Sequence, residues 1–353
     1  MPQRERWRVA HRVPLVSPYE SDKNVPSITL RRGDVVVQEH RMAFSGSAIR
    51  VTVSNEHGTR ETDVAIAIGD SPATFDGRDH VILDSGSSRT TDPLYIDADR
   101  DEPATISLMG RRDSSEQLTY NPSLIHSTLI RSPNGHVGSV PTQILVQQIE
   151  VATDDDAPIV VALGDSITAG FGSSVHGYPG VLADHHNRRV LNVGIAGNRL
   201  DADEIGPSIR RRLRSDGLSP NPAYLVLQAG INDLATVFPG RALDETDGEH
   251  LGQQLLDIAG NARDAGVTVI VATLPPVEGC RYPQFCRPGI DVARDAANQV
   301  VMGGAFEVLP LHSLLVDSSY PDTLAPAFDS GDRIHPNDQA AKVIAARIDW
   351  MLN

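Results

Sequence analysis

From Ile159 onward the chain repeats one pattern: a short continuous apolar run, a polar turn, then a segment with helical spacing. The runs are Ile159–Leu163, Val190–Val193, Tyr224–Gln228, Val267–Thr273 and Glu307–Leu311. Helical segments fall near 178–187, 203–214, 248–265, 289–302 and 339–352. A strand that is apolar along its whole length must be covered on both faces, and parallel strands need crossover connections. The pattern therefore predicts an α/β domain built on a parallel sheet. Sheets of this kind carry their sites at the carboxyl ends of the strands.

Residues before about 152 read differently. Ser27-Ile28-Thr29-Leu30, Ala48–Val53, Val64–Ile68 and Thr105–Leu108 are short and partly alternating, with turn residues between them at Arg32-Gly33-Asp34, Glu56-His57-Gly58, Asp76-Gly77 and Pro133-Asn134-Gly135. Many short strands with such punctuation suggest an antiparallel sandwich or jelly roll. A chain of 353 residues also exceeds one ordinary core. The expectation is an all-β sandwich or jelly-roll-like domain over 1–155 and the α/β domain over 156–353. Thr153-Asp154-Asp155-Asp156-Ala157-Pro158, between them, reads as a solvated linker, because its carboxylates lack the spacing of an EF-hand loop.

The formal charge of −15 argues against a nucleic-acid partner and against attraction to an anionic membrane surface. No apolar stretch is long enough to span a bilayer. The first residues show no apolar signal core, so the expected location is cytoplasmic by default, or secreted if a leader is removed. The two cysteines, Cys280 and Cys286, fall in one loop and are either bridged locally or free. The run Arg210-Arg211-Arg212-Leu213-Arg214 reads as the solvated C-terminal face of a helix, favoured by the macrodipole.

The strand ends hold the unusual polar residues. Gly164-Asp165-Ser166 follows the first strand, NVGIAGN spans the end of the second, GIND follows the third, and DSGDRIHPND ends the long loop after the fifth. One sheet edge collects them all. A serine hydroxyl is a weak nucleophile that needs a base, and His335 can serve as one. Asp332, three residues earlier, can hold the proton on Nδ1. The N–H groups of Ser166 and Gly197 and the side-chain amide of Asn232 can stabilise an oxyanion, where losing one donor costs about 3–4 kcal/mol. Glycine at 197 would permit close backbone approach.

GDSIT, the glycine in NVGIAGN, GIND and DRIHP resemble the four blocks of the SGNH (GDSL-type) hydrolases, over essentially all of 158–353. The resemblance implies a flavodoxin-like three-layer α/β/α domain and a serine esterase activity without metal or organic cofactor. It makes Ser166 the nucleophile, Asp332 and His335 the rest of the triad, and Gly197 and Asn232 oxyanion residues beside the Ser166 N–H. Asp329 is a decoy, since the family's Asp-x-x-His spacing selects Asp332. The strings IAGNRL, LQAGIND and AFDSGDRIHPND, and IRVTVSNEHGTR in the first half, are similar to one branch of two-domain bacterial esterases, some linked to xylan degradation. An α/β-hydrolase elbow needs Gly-x-Ser-x-Gly, and position 168 is threonine. A phosphate-binding loop would need Lys-Ser/Thr after its glycines.

The expected substrate is a small-molecule or glycan ester with a short acyl group; the sugar part rests on resemblance alone. The segment 273–288, with Tyr282, Phe285 and both cysteines, follows the fourth strand and should border the site. Two other classes stay open: an acyltransferase using the same triad, and a carbohydrate-binding protein with a vestigial hydrolase domain.

Overall fold

In a computed structural model of the chain, which describes residues 5–18, 28–112, 118–121, 128–236 and 241–353, Thr62–Ile68 buries every second side chain. That period places one face of the strand against a core. Ala48–Ser54 follows the same logic and lies in a four-stranded antiparallel sheet, ordered Trp7–Arg12, Val146–Ala152, Ala48–Ser54, Ser88–Thr90. Thr62–Ile68 lies in a seven-stranded antiparallel sheet with Ala104–Gly110 and Val35–His40. Among the described residues this unit, Met1–Ala157, holds no helix. The anticipated strand at 27–30 does not form: Ile28–Leu30 carry no ladder, and Ser27 lies outside the described residues. Ile28 and Leu30 are buried all the same, so the apolar signal there reports packing.

The second unit, Pro158–Asn353, is organised by a five-stranded parallel sheet. Its strands are β1 (Ile159–Gly164), β2 (Arg189–Gly194), β3 (Tyr224–Gln228), β4 (Thr268–Ala272) and β5 (Glu307–Leu309), in the order 2-1-3-4-5. Every residue of β1 is buried, as expected of a strand covered on both sides. Val160, Ala162, Val226 and Ile270 pack with the helices α2 (Gly177–His185) and α8 (Asp338–Met351). On the opposite face, Leu163 and Leu225 lie against Gly217. The reversal of strand order falls between β1 and β3, so the crevice outside their carboxyl ends is where such a sheet binds ligands.

Short helices set the strand-end loops: α1 (Ser166–Ala169) after β1, α3 (Ile209–Arg212) after β2 and α4 (Ile231–Thr236) after β3. Then come α5 (Glu245–Asp264), α6 (Ile290–Gly303) and α7 (Leu311–Leu315). A reciprocal capping box between Asp244 and Asp247 starts α5, and the Asn337 side chain caps α8. The helix expected over 203–214 begins only at Ile209. Pro207 disfavours helical backbone at Gly206, which takes φ +69°. Beyond Arg212 the chain continues through a six-residue π-helical turn, Leu213–Leu218. Among the described residues no helix is long and apolar enough to cross a membrane.

Candidate active site

The strand-end loops of the second unit carry the candidate residues. Ser166 is the first residue of α1, and Asp165, not the serine, is the cap: its carboxylate accepts from the Ile167 N–H at 3.0 Å. As the opening residue of a helix, Ser166 has a backbone N–H without an intrahelical acceptor. Gly164 admits the turn because a Cβ there would fall 2.2 Å from both Gln228 O and Thr168 Oγ1.

The hydroxyl of Ser166 lies 2.9 Å from His335 Nε2, across 169 residues of sequence. His335 Nδ1 donates to Asp332 Oδ2 at 2.6 Å. The other oxygen of Asp332 accepts from the backbone N–H of Ile334 (3.1 Å) and of His335 (2.9 Å). Burial opposes ionisation of Asp332, but the hydrogen bonds from His335 and Ile334 prevail and hold its pKa below the carboxylate range. An ionised Asp332 fixes the proton on Nδ1 and leaves Nε2 to accept from the serine. Asp329 instead accepts from the N–H groups of Gly331 and Arg333 and shapes the turn.

The segment after β4 reaches this corner, as its position implied. The Tyr282 hydroxyl donates to Asp332 Oδ2 at 3.2 Å, its ring stands edge-on to His335 at 5.9 Å, and the N–H of Arg281 bonds Asp332 O. Phe171 covers the other side of the imidazole, with ring centroids 4.3 Å apart. Phe285 is buried. Cys280 and Cys286 are both free thiols, so the local bridge does not form, and burial pushes the Cys280 thiol up to about 11.

Gly197 adopts φ +77°, so its backbone is left-handed and glycine suits it for that reason as well as for space. Asn232 is the second residue of α4, and its Nδ2 donates to Asn198 O at 3.1 Å, which orients the amide. Reading the arginine run as wholly solvated is incorrect. Arg210 and Arg211 are exposed and paired with Asp201 and Asp203, but Arg212 is fully buried. Its spacing with Ile209, Leu213 and Asp216 places all four on one helical face, which is the signal that could have revealed it.

Two carboxylates lie beneath these loops. Burial pushes Asp165 up to about 6, against the Ile167 N–H and Gln228. Burial pushes Asp233 up to about 7, against the Leu200 N–H, which reaches both its oxygens, and against Arg199. A carboxyl raised from 3.8 to about 7 binds more protons folded than unfolded in that window. Its contribution to stability is full below the lower value and lost as pH rises through the upper one. Asp233→Asn keeps an oxygen for Leu200 and removes the titration. Its stability should therefore decline less than that of the parent between about pH 4 and 7. Denaturant unfolding across that range tests this, and parallel profiles would refute it.

Among the described residues no three His, Cys, Asp or Glu side chains gather to hold a metal ion. The profile of the GDSL-like lipase/acylhydrolase family matches residues 162–343, just over half of the chain. The chain belongs to that family and is a hydrolase. No curated protein matches it. Among solved structures it is similar to a GDSL-like lipase from Bacteroides thetaiotaomicron, at 18% identity and TM-score 0.45, covering 55% of this chain and 87% of that one. It is also similar to a variant of an acetyl xylan esterase from Geobacillus stearothermophilus, at 19% identity and TM-score 0.39, covering 53% and 91%.

Proposed function

We propose that the protein is a serine esterase that hydrolyses short-chain acyl esters, carbohydrate acetyl esters among them, through an acyl-enzyme on Ser166. The observation that carries this reading is the hydrogen-bonded line Ser166–His335–Asp332 at the carboxyl edge of the sheet. Ser166 Oγ attacks the ester carbonyl as His335 Nε2 takes its proton. The Ser166 N–H, the Gly197 N–H and the Asn232 amide receive the oxyanion. Nε2 then gives the proton to the departing alcohol. Water enters, loses a proton to Nε2 and releases the acid, restoring the serine.

Crowding supports a short acyl group: Phe171 lies on His335, and the Ile205 side chain lies against Gly197. In this reading 156–353 is a flavodoxin-like three-layer hydrolase domain and 1–155 an all-β sandwich accessory domain. The partner is a small-molecule or glycan ester rather than nucleic acid or membrane, as the charge of −15 supports. A fluorophosphonate probe should label Ser166. A panel of aryl and acetylated-sugar esters should show turnover falling as the acyl chain lengthens from acetyl to octanoyl. No labelling and no ester turnover would overturn the assignment. Acyl transfer to an added alcohol in preference to water would turn it toward a transferase.

A further inference from the structure

Arg212 is among the largest fully buried side chains of the protein. A guanidinium shut away from water is costly unless its nitrogens are matched. Here all three are. Nε donates to Asn198 Oδ1 at 3.0 Å, Nη1 to Val193 O at 2.5 Å and Nη2 to Gly164 O at 2.8 Å, and Asp216 lies 3.6 Å from Nη1. Burial pulls its pKa down to about 10, against Asp216, and it stays charged at neutral pH. A site that needed only apolar filling would take leucine or methionine.

The fork reaches the segments that carry the oxyanion donors. Gly164 O lies two residues before Ser166 and also accepts the Ile195 N–H at 3.0 Å. Val193 lies at the end of β2, on the approach to Gly197. Asn198 follows Gly197 directly. Its amide cannot turn over, because both of its N–H groups are committed: they donate to Ile205 O at 3.0 Å and Pro207 O at 2.9 Å, so Oδ1 must face the guanidinium. The backbone carbonyl of the same Asn198 holds the Asn232 amide. One buried cation thus ties the end of β1 to the end of β2 and its loop, and through Asn198 it reaches α4.

We propose that Arg212 is the positioning residue of the oxyanion site: its guanidinium sets the spacing between the Ser166 N–H, the Gly197 N–H and the Asn232 amide. This rests on the esterase reading above. Arg212 touches no reacting atom. Its effect falls on the tetrahedral state, where donor placement matters, and spares ground-state binding.

The test uses the full chain and compares Arg212→Lys, Asn198→Ala, Asn232→Ala and the double variant Arg212→Lys/Asn232→Ala. Lysine keeps the charge but cannot span three acceptors. Asn198→Ala cuts the route to Asn232 while leaving the bonds to Gly164 and Val193. It serves as the second probe if the lysine variant does not fold. For each folded variant, kcat and KM for an aryl acetate are measured, with the affinity for a phenylboronic acid, which forms a tetrahedral adduct on the serine.

Arg212→Lys and Asn198→Ala should each lower kcat by about 10²-fold, as expected for donors displaced by about 1 Å, with KM little changed. Boronate affinity should fall in parallel. The double variant should lose less than the product of the two single losses, because the Asn232 amide is one of the three donors that Arg212 places. A lowered melting temperature with unchanged kcat, or losses that multiply in the double variant, would overturn the proposal. If Asn232→Ala slows turnover while the other two do not, positioning alone fails. If Asn232→Ala has no effect, the oxyanion assignment fails and takes this proposal with it.

Discussion

Ser166→Ala is expected to lower kcat by about 10⁴ to 10⁶-fold on an aryl acetate, the scale of losing a nucleophile from a hydrogen-bonded triad. The substitution removes one oxygen and changes little else. Asp165, not Ser166, caps α1, and alanine suits the first helical position. The backbone N–H proposed as an oxyanion donor is retained. Melting temperature and far-UV circular dichroism should therefore match the parent, and ester binding should persist. Hydrolysis at the parental rate by a folded Ser166→Ala protein would falsify the nucleophile assignment.

Asp332→Asn is expected to lower kcat by about 10³ to 10⁴-fold, for a reason visible in the two oxygens it replaces. Oδ2 accepts from His335 Nδ1, and Oδ1 accepts from the N–H groups of Ile334 and His335. An asparagine can keep only one of these sets. If its oxygen stays with the backbone, its NH₂ faces Nδ1, and the ring must carry its proton on Nε2, pointing at the serine it should deprotonate. If the amide turns over, NH₂ meets two backbone donors and the loop is disturbed. Each arrangement leaves His335 a poor base. Comparison of kcat at pH 7 for parent and variant decides it. A loss smaller than about tenfold would mean that the Phe171 and Tyr282 rings packed on the imidazole suffice to orient it.

The strands of the second unit were legible because covered parallel strands are apolar along their whole length, as Ile159–Gly164 is. Ser166 and His335, though 169 residues apart, could be brought together on paper because both lie at strand ends of one sheet. Pattern reading failed where geometry is fixed by something other than periodicity. Ile28–Leu30 have the apolar content of a strand but no neighbouring ladder. The helices α1 and α7 and the hairpin Val316–Asp317 with Tyr320–Leu324 are too short to show a period. Arg212 looked like one more charge in a basic run: the face it shares with Ile209 and Leu213 marks it as inward, but its bonds to main-chain carbonyls leave no trace in the sequence.

The π-helical turn at Leu213–Leu218 has a consequence for how this segment can change over time. Such a turn is what one additional residue leaves in an otherwise regular helix. The wider turn takes that residue up locally, so deleting one between 213 and 215 would close it to a regular helix and shift the residues inside it relative to Arg212. Gly217 would leave its seat against Leu163 and Leu225, and the Asp216 carboxylate would swing off the cation it balances. Connections between strands ordinarily absorb insertions and deletions with ease; this one is held to a fixed count, and lineages should vary its letters far more readily than its length.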